Sequence, residues 1–231
     1  MSAMKGILIG LLLLPGCGDT RESENQVSGA PATVENAFVP EISWTSHHLR
    51  DEVAETLTGP GGTMRIDFRG ENLRITNASG DTLNLNVVPP ASIRWNPRGS
   101  SVAINNGNGS GQISHIMIVS NDNGRLSILE GVEEQLKAYF AEQTRCRIRP
   151  IDISVGPYGW AIDGATIWVY FESWDRRNFC DSGPARFAQY DPAQRAVVAH
   201  LSEAEAVARF CPDPNFRWLP CQRYRQRRDA S

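Results

Sequence analysis

Lysine is almost missing from this chain. Only Lys5 and Lys137 occur, and neither follows a glycine, so the Gly-Lys-Ser/Thr phosphate loop is excluded and nearly all positive charge is arginine. Cysteine is sparse: no two of the five stand in a C-x-x-C spacing, and His47, His48, His115 and His200 do not stand at zinc-finger distances from them, which argues against the common structural zinc patterns. No H-E-x-x-H or G-x-S-x-G occurs, so neither a zincin helix nor a serine nucleophile elbow is encoded. Long apolar runs are absent too. The longest, Gly6 to Leu14, falls well short of the roughly 20 residues a helix needs to cross a bilayer.

That run has another use. Lys5 and the apolar core behind it form the charged start and h-region of an export signal. They end in Leu14-Pro15-Gly16-Cys17, which resembles the lipobox of bacterial lipoproteins, with Pro15 in place of the usual small residue. The resemblance implies that residues 1–16 are a signal peptide, that Cys17 is the lipid-attachment residue, and that the membrane is a partner through the N-terminal lipid. Gly18, rather than Asp, after the cysteine points to an exported, periplasm-facing protein of an outer membrane. Residues 17–40 are polar, rich in Gly, Pro, Ser and Asn and without hydrophobic period, and read as a flexible tether with a reach of some 25–30 Å.

With Cys17 assigned to lipid, Cys146, Cys180, Cys211 and Cys221 remain. An even number in an exported chain predicts two disulfides. The pairing Cys211–Cys221, closing the turn-rich "CPDPNFRWLPC", with Cys146–Cys180, is favoured over the other two combinations, which sequence leaves open.

Residues 41–231 read as a single β-rich domain. The chain is 41% hydrophobic and 21% charged with net charge −3, enough for one substantial core. Stretches such as "TMRIDF", "NLRIT", "TLNLNVV", "SVAIN" and "ATIWVYF", bounded by Gly, Asn, Asp and Pro, predict antiparallel strands with one buried face. Asp163-Gly164 predicts a two-residue hairpin turn. Two helices interrupt the strands: "EGVEEQLKAYFAEQ", with Val132, Leu136, Tyr139 and Phe140 on one face, and "SEAEAVARF", with Ser202 and Glu205 at capping-box spacing.

A repeat organises this pattern. "WNPRGSSVAI" from Trp95 and "WAIDGATIWV" from Trp160 share Trp, Gly four residues on and aliphatics at seven and nine, and the same 65-residue offset separates Cys146 from Cys211. The expected fold is mainly β: two pseudo-repeated blade-like antiparallel sheets, about 82–146 and 150–211, each followed by a short helix, then an Arg-rich C-terminal tail. The phrase "IRWNPRGSSVAI" resembles the blades of TolB-like and WD40-like β-propellers. That resemblance implies an open sheet pair or an incomplete propeller. Trp95 and Trp160 read as hydrophobic plugs between sheets rather than as ligand-stacking residues.

Candidate chemistry is thin. The loop "NNGNGSGQ", carrying Asn105, Asn106, Asn108 and Ser110, is a hairpin tip and a possible ligand loop. "SNDNGRLS" lacks the alternating oxygen ligands of a calcium loop, and the adjacent His47 and His48 point to opposite faces of a strand. No catalytic residue, metal or cofactor is nominated. The tail from Arg217 to Arg228 suits an anionic envelope polymer or lipid headgroups, and nucleic acid is not an expected partner of an exported domain. The expected function is that of a membrane-anchored envelope lipoprotein, a non-catalytic module binding protein or polymer. The alternative is a secreted enzyme acting on an envelope or extracellular substrate.

Overall fold

The computed structural model describes residues 42–43, 46–50, 53–107, 114–143, 153–173, 187–213 and 219–228. Their strands form three antiparallel sheets. The first runs β3 (Glu55–Thr58), β4 (Met64–Arg69), β5 (Asn72–Asn77), β6 (Thr82–Asn86). The second is β7 (Val88–Trp95), β8 (Ser101–Gly107), β9 (Ser114–Asp122) and β10 (Arg125–Ile128), with β2 (Ser46–Leu49) added beside β7. The third is β11 (Ile153–Ala161), β12 (Ile167–Ser173), β13 (Phe187–Asp191) and β14 (Ala196–Leu201), with β1 (Ile42–Ser43) beside β11. Helix α1 (Val132–Gln143) follows β10, α2 (Glu203–Phe210) follows β14, and α3 (Leu219–Arg228) comes last. The chain is mainly β with few helices, as its alternation predicts. The strands nevertheless fall into three sheets, not two, because β3 to β6 pair only with one another.

Side-chain direction explains the layering. In β8, Val102 and Ile104 join a cluster with Met64, Ile66, Phe68, Leu73 and Ile75 of the first sheet, whereas Ala103 between them joins Val155, Trp160 and Val169 of the third. The second sheet is therefore buried on both faces, not one. The third sheet behaves alike: Ile167, Val169 and Phe171 face the second sheet and α1, while Trp168 packs with Phe187, Phe210 and the Cys211–Cys221 bridge. Unbroken apolar runs in β8 and β12 belong to strands covered on both sides.

The helices fill the remaining gaps. Val132, Leu136 and Phe140 of α1 are buried at the expected four-residue spacing, and the Phe140 ring stacks on Phe171 at 4.8 Å between centroids. Tyr139 is only partly buried; its Oη lies 2.6 Å from Nδ1 of His200. Helix α2 carries the expected capping box, with Glu205 N donating to Ser202 Oγ and Ser202 N to Glu205 Oε2. The Arg-rich end, read as a tail, is helical from Leu219. It is held by Cys221 to Cys211 and by Arg225, whose guanidinium donates to the carbonyls of Cys211 and Asp213. Cys146 and Cys180 lie outside the described residues, as does Cys17.

The turns at Asp163-Gly164 and Pro97 to Ser100 share one geometry. Ala161 N donates to Thr166 O and Gly164 N to Ala161 O, so the last hydrogen bond before the turn encloses four residues, 162–165, not two. Asn96 N to Ser101 O and Gly99 N to Asn96 O repeat that pattern between β7 and β8. Gly99 and Gly164 both have φ near +70°, where a Cβ is strained.

Two stability tests follow from this packing. Trp95, 4% exposed, fills the core between first and second sheets; Trp160, 1% exposed, fills that between second and third. Each Trp→Ala variant should lose about 3–5 kcal/mol, read from denaturant midpoints, and a loss well under 1 kcal/mol would contradict the packing. For the bridge between α2 and α3, the double variant Cys211→Ser, Cys221→Ser should cost about 2–3 kcal/mol, the amount expected for so short a closed loop; an unchanged thermal midpoint would show the bridge to be energetically idle.

Candidate functional site

Strict alternation in the first sheet sends Met64, Ile66, Phe68, Leu73 and Ile75 inward and leaves Arg65, Asp67, Arg69, Asn72 and Arg74 outward. Register then sets their neighbours. Thr56 pairs with Asp67, Asp67 with Arg74, and Arg74 with Asn84, a row across all four strands. Arg65 and Arg69 sit two residues either side of Asp67, so both are diagonal to Arg74, at the roughly 7–8 Å typical of such positions.

Asp67 is the one carboxylate in this row. Its Oδ1 accepts from Arg65 Nε at 3.0 Å and Nη2 at 2.7 Å, and from Thr56 Oγ1 at 2.7 Å. The Arg65 hydrogen bonds, with that of Thr56 and the nearby charge of Arg74, hold the Asp67 carboxyl below the usual range. Arg69 and Arg74 donate to no acceptor among the described residues. Between Thr56, Asp67, Arg69, Arg74 and Asn84 lies a shallow depression of about 400 Å³, whose lining also includes buried Phe68 and a second carboxylate, Glu55, already paired with His47.

A second concavity, about 370 Å³, opens between the turn ends of the second and third sheets, among Asn96, Arg98, Ser101, Ser120, Asp122 and Asp191. Much of its polarity is already committed to structure. Buried Asn96 donates from Nδ2 to Gly164 O at 2.7 Å and accepts from Arg98 N, and Asp191 accepts from Ala193 N, Gln194 N and Gln194 Nε2. No histidine lines it among the described residues, so it holds no serine–histidine pair.

The residues singled out from sequence scatter. Asn105 and Asn106 end β8, far along the strand from the turn-end concavity; Asn108 and Ser110 lie outside the described residues. Asn106 Oδ1 accepts from Val88 N at 2.7 Å, a structural tie to β7. Asn105 Oδ1 is buried with no hydrogen-bond partner among the described residues, close to Gly156 of β11. Gly107 is explained by crowding, since a Cβ there would stand 2.6 Å from Pro90 O. His47 pairs with Glu55 of β3, while burial first and Arg94 second lower the pKa of His48. His115 meets Glu133, which also pairs with Lys137 at 2.5 Å. No cluster of three or more metal-ligating side chains occurs among the described residues.

Comparison with protein-family models, curated proteins and solved structures finds no match to this chain.

The ladder makes a titration prediction. Because its folded pKa is depressed, Asp67 contributes stability above the ordinary carboxylate range and loses it as pH falls through the depressed value. In an NMR titration, Arg65→Gln should raise the Asp67 midpoint, and an unmoved midpoint would remove Arg65 as the cause.

Proposed function

We propose that this chain is a lipid-anchored envelope protein whose β-sheet body is a non-catalytic module binding a protein or polymer. The observation that carries the binding half is an asymmetry of the stack: the second and third sheets are covered on both faces, whereas the first presents a whole polar, arginine-bearing face to solvent. The anchoring half rests on Leu14 to Cys17 and the polar linker behind them. We further read the second and third sheets as two copies of a blade-like unit. Support comes from the four-strand meander followed by a helix in each, and from Trp95 and Trp160, which stand at or next to the ends of their first strands, opposite Val102 and Ile167.

Two measurements test this function. Cys17→Ser should move the protein from membranes to the soluble fraction, and unchanged membrane fractionation would refute the anchor. In-cell crosslinking should capture a specific envelope component. If none is captured while purified protein turns over an envelope-derived substrate, the enzyme alternative replaces the binding module.

A further inference from the structure

We propose that the solvent face of the first sheet binds a polyanionic glycan, a hydrated saccharide chain carrying carboxylate or phosphate groups. The proposal rests on the binding-module function and names its ligand class and surface. Arg65, Arg69 and Arg74 form a triangle on this face, with Asp67 the one carboxylate among them, in a chain whose net charge is −3. Like charges placed diagonally on a sheet repel, and Asp67 is already hydrogen-bonded to Arg65. Arg69 and Arg74 are left with donors directed at no acceptor among the described residues. A guanidinium presents paired N–H groups that match a carboxylate or phosphate, so Arg69, and Arg74 beside the Asp67 charge, are suited to successive anionic groups of one polymer.

The rest of the face narrows the ligand. Asn72, Asn84 and Asn86 with Thr56 and Thr58 surround the arginines and offer carboxamides and hydroxyls to sugar hydroxyl groups. Leu57, Leu73, Leu83 and Leu85 turn to the core, and Phe68 is buried, so among the described residues of this face nothing aromatic stands exposed for bases to stack on and no apolar anchor is offered to a protein partner. A solvent-facing surface carrying arginine, asparagine and threonine side chains, with a shallow depression across its strands, suits an extended hydrated chain.

The test uses the purified full chain and polygalacturonate as probe, with neutral dextran, poly-L-glutamate, oligothymidylate and phosphatidylglycerol vesicles as comparison ligands. Polygalacturonate should bind more tightly than all four, and its binding should weaken with salt. Arg69→Gln with Arg74→Gln should lower the affinity about tenfold or more and flatten the salt dependence at an unchanged thermal midpoint. Asp67→Asn, which frees Arg65, should raise the affinity. The same charge loss elsewhere, Arg227→Gln with Arg228→Gln, should have the smaller effect. The proposal is overturned if polygalacturonate does not bind, if a comparison ligand binds as well, if the face variant binds like wild type, or if the Arg227, Arg228 variant loses more. Capture of an envelope protein in cells without polygalacturonate binding would also overturn it, yet leave the binding-module function standing.

Discussion

The second sheet carries apolar side chains on both faces, and the rest of the molecule is arranged to keep both out of water. Val102, Ile104 and Val119 point one way, Ala103, Ile116 and Ile118 the other. Fully burying such side chains is worth about 1.5–3 kcal/mol each, so neither face can stay open. The first sheet covers one. The third sheet with α1 covers the other, but brings its own second face, which α2, α3 and the Cys211–Cys221 bridge close. Among the described residues only the first sheet is apolar on a single side, and so it ends the stack. The polar face described above is a consequence of that order.

Hydrophobic contact alone would let stacked sheets slide. At the joint between second and third sheets, directional bonds oppose this: Trp160 Nε1 donates to Arg94 O, Arg94 Nε to Tyr158 O, and Asn96 Nδ2 to Gly164 O. Burial lowers the Arg94 pKa and raises that of Tyr158, the cost of placing polar groups in a low-dielectric joint. Breaking one partner would strand the other, so these bonds fix one relative setting of the sheets.

Much of this was written locally and could be read. Alternation in "MRIDF" and "NLRIT" marks a sheet with one wet face, and Ser202 with Glu205 marks the start of α2. The Cys211–Cys221 pairing follows from proximity along the chain. Two-sided burial was harder to see, because a short apolar run such as "IWVYF" has no period to say how many faces are covered. The four-residue turn at Asp163-Gly164 depends on backbone hydrogen bonds that a dipeptide does not specify. Helix α3 was hidden by its charge, since its hold on the body is a bridge and Arg225 rather than an apolar stripe. The arginine triangle needs cross-strand register: Arg65 and Arg69 share a strand, but only the pairing of Asp67 with Arg74 brings the third into place.

The same register fixes where this face stands. A slip of one residue between β4 and β5 would turn Arg74 and Asn72 into the core and Leu73 and Ile75 out, so the packing that buries Phe68 and Ile66 against the second sheet holds the arginines in place. The face is thus preorganised at no further conformational cost to the backbone, and ordering on ligand binding is confined to long side chains. The entry of the chain fits the same geometry. β1 joins the third sheet and β2 the second, so the body begins two layers from the open face.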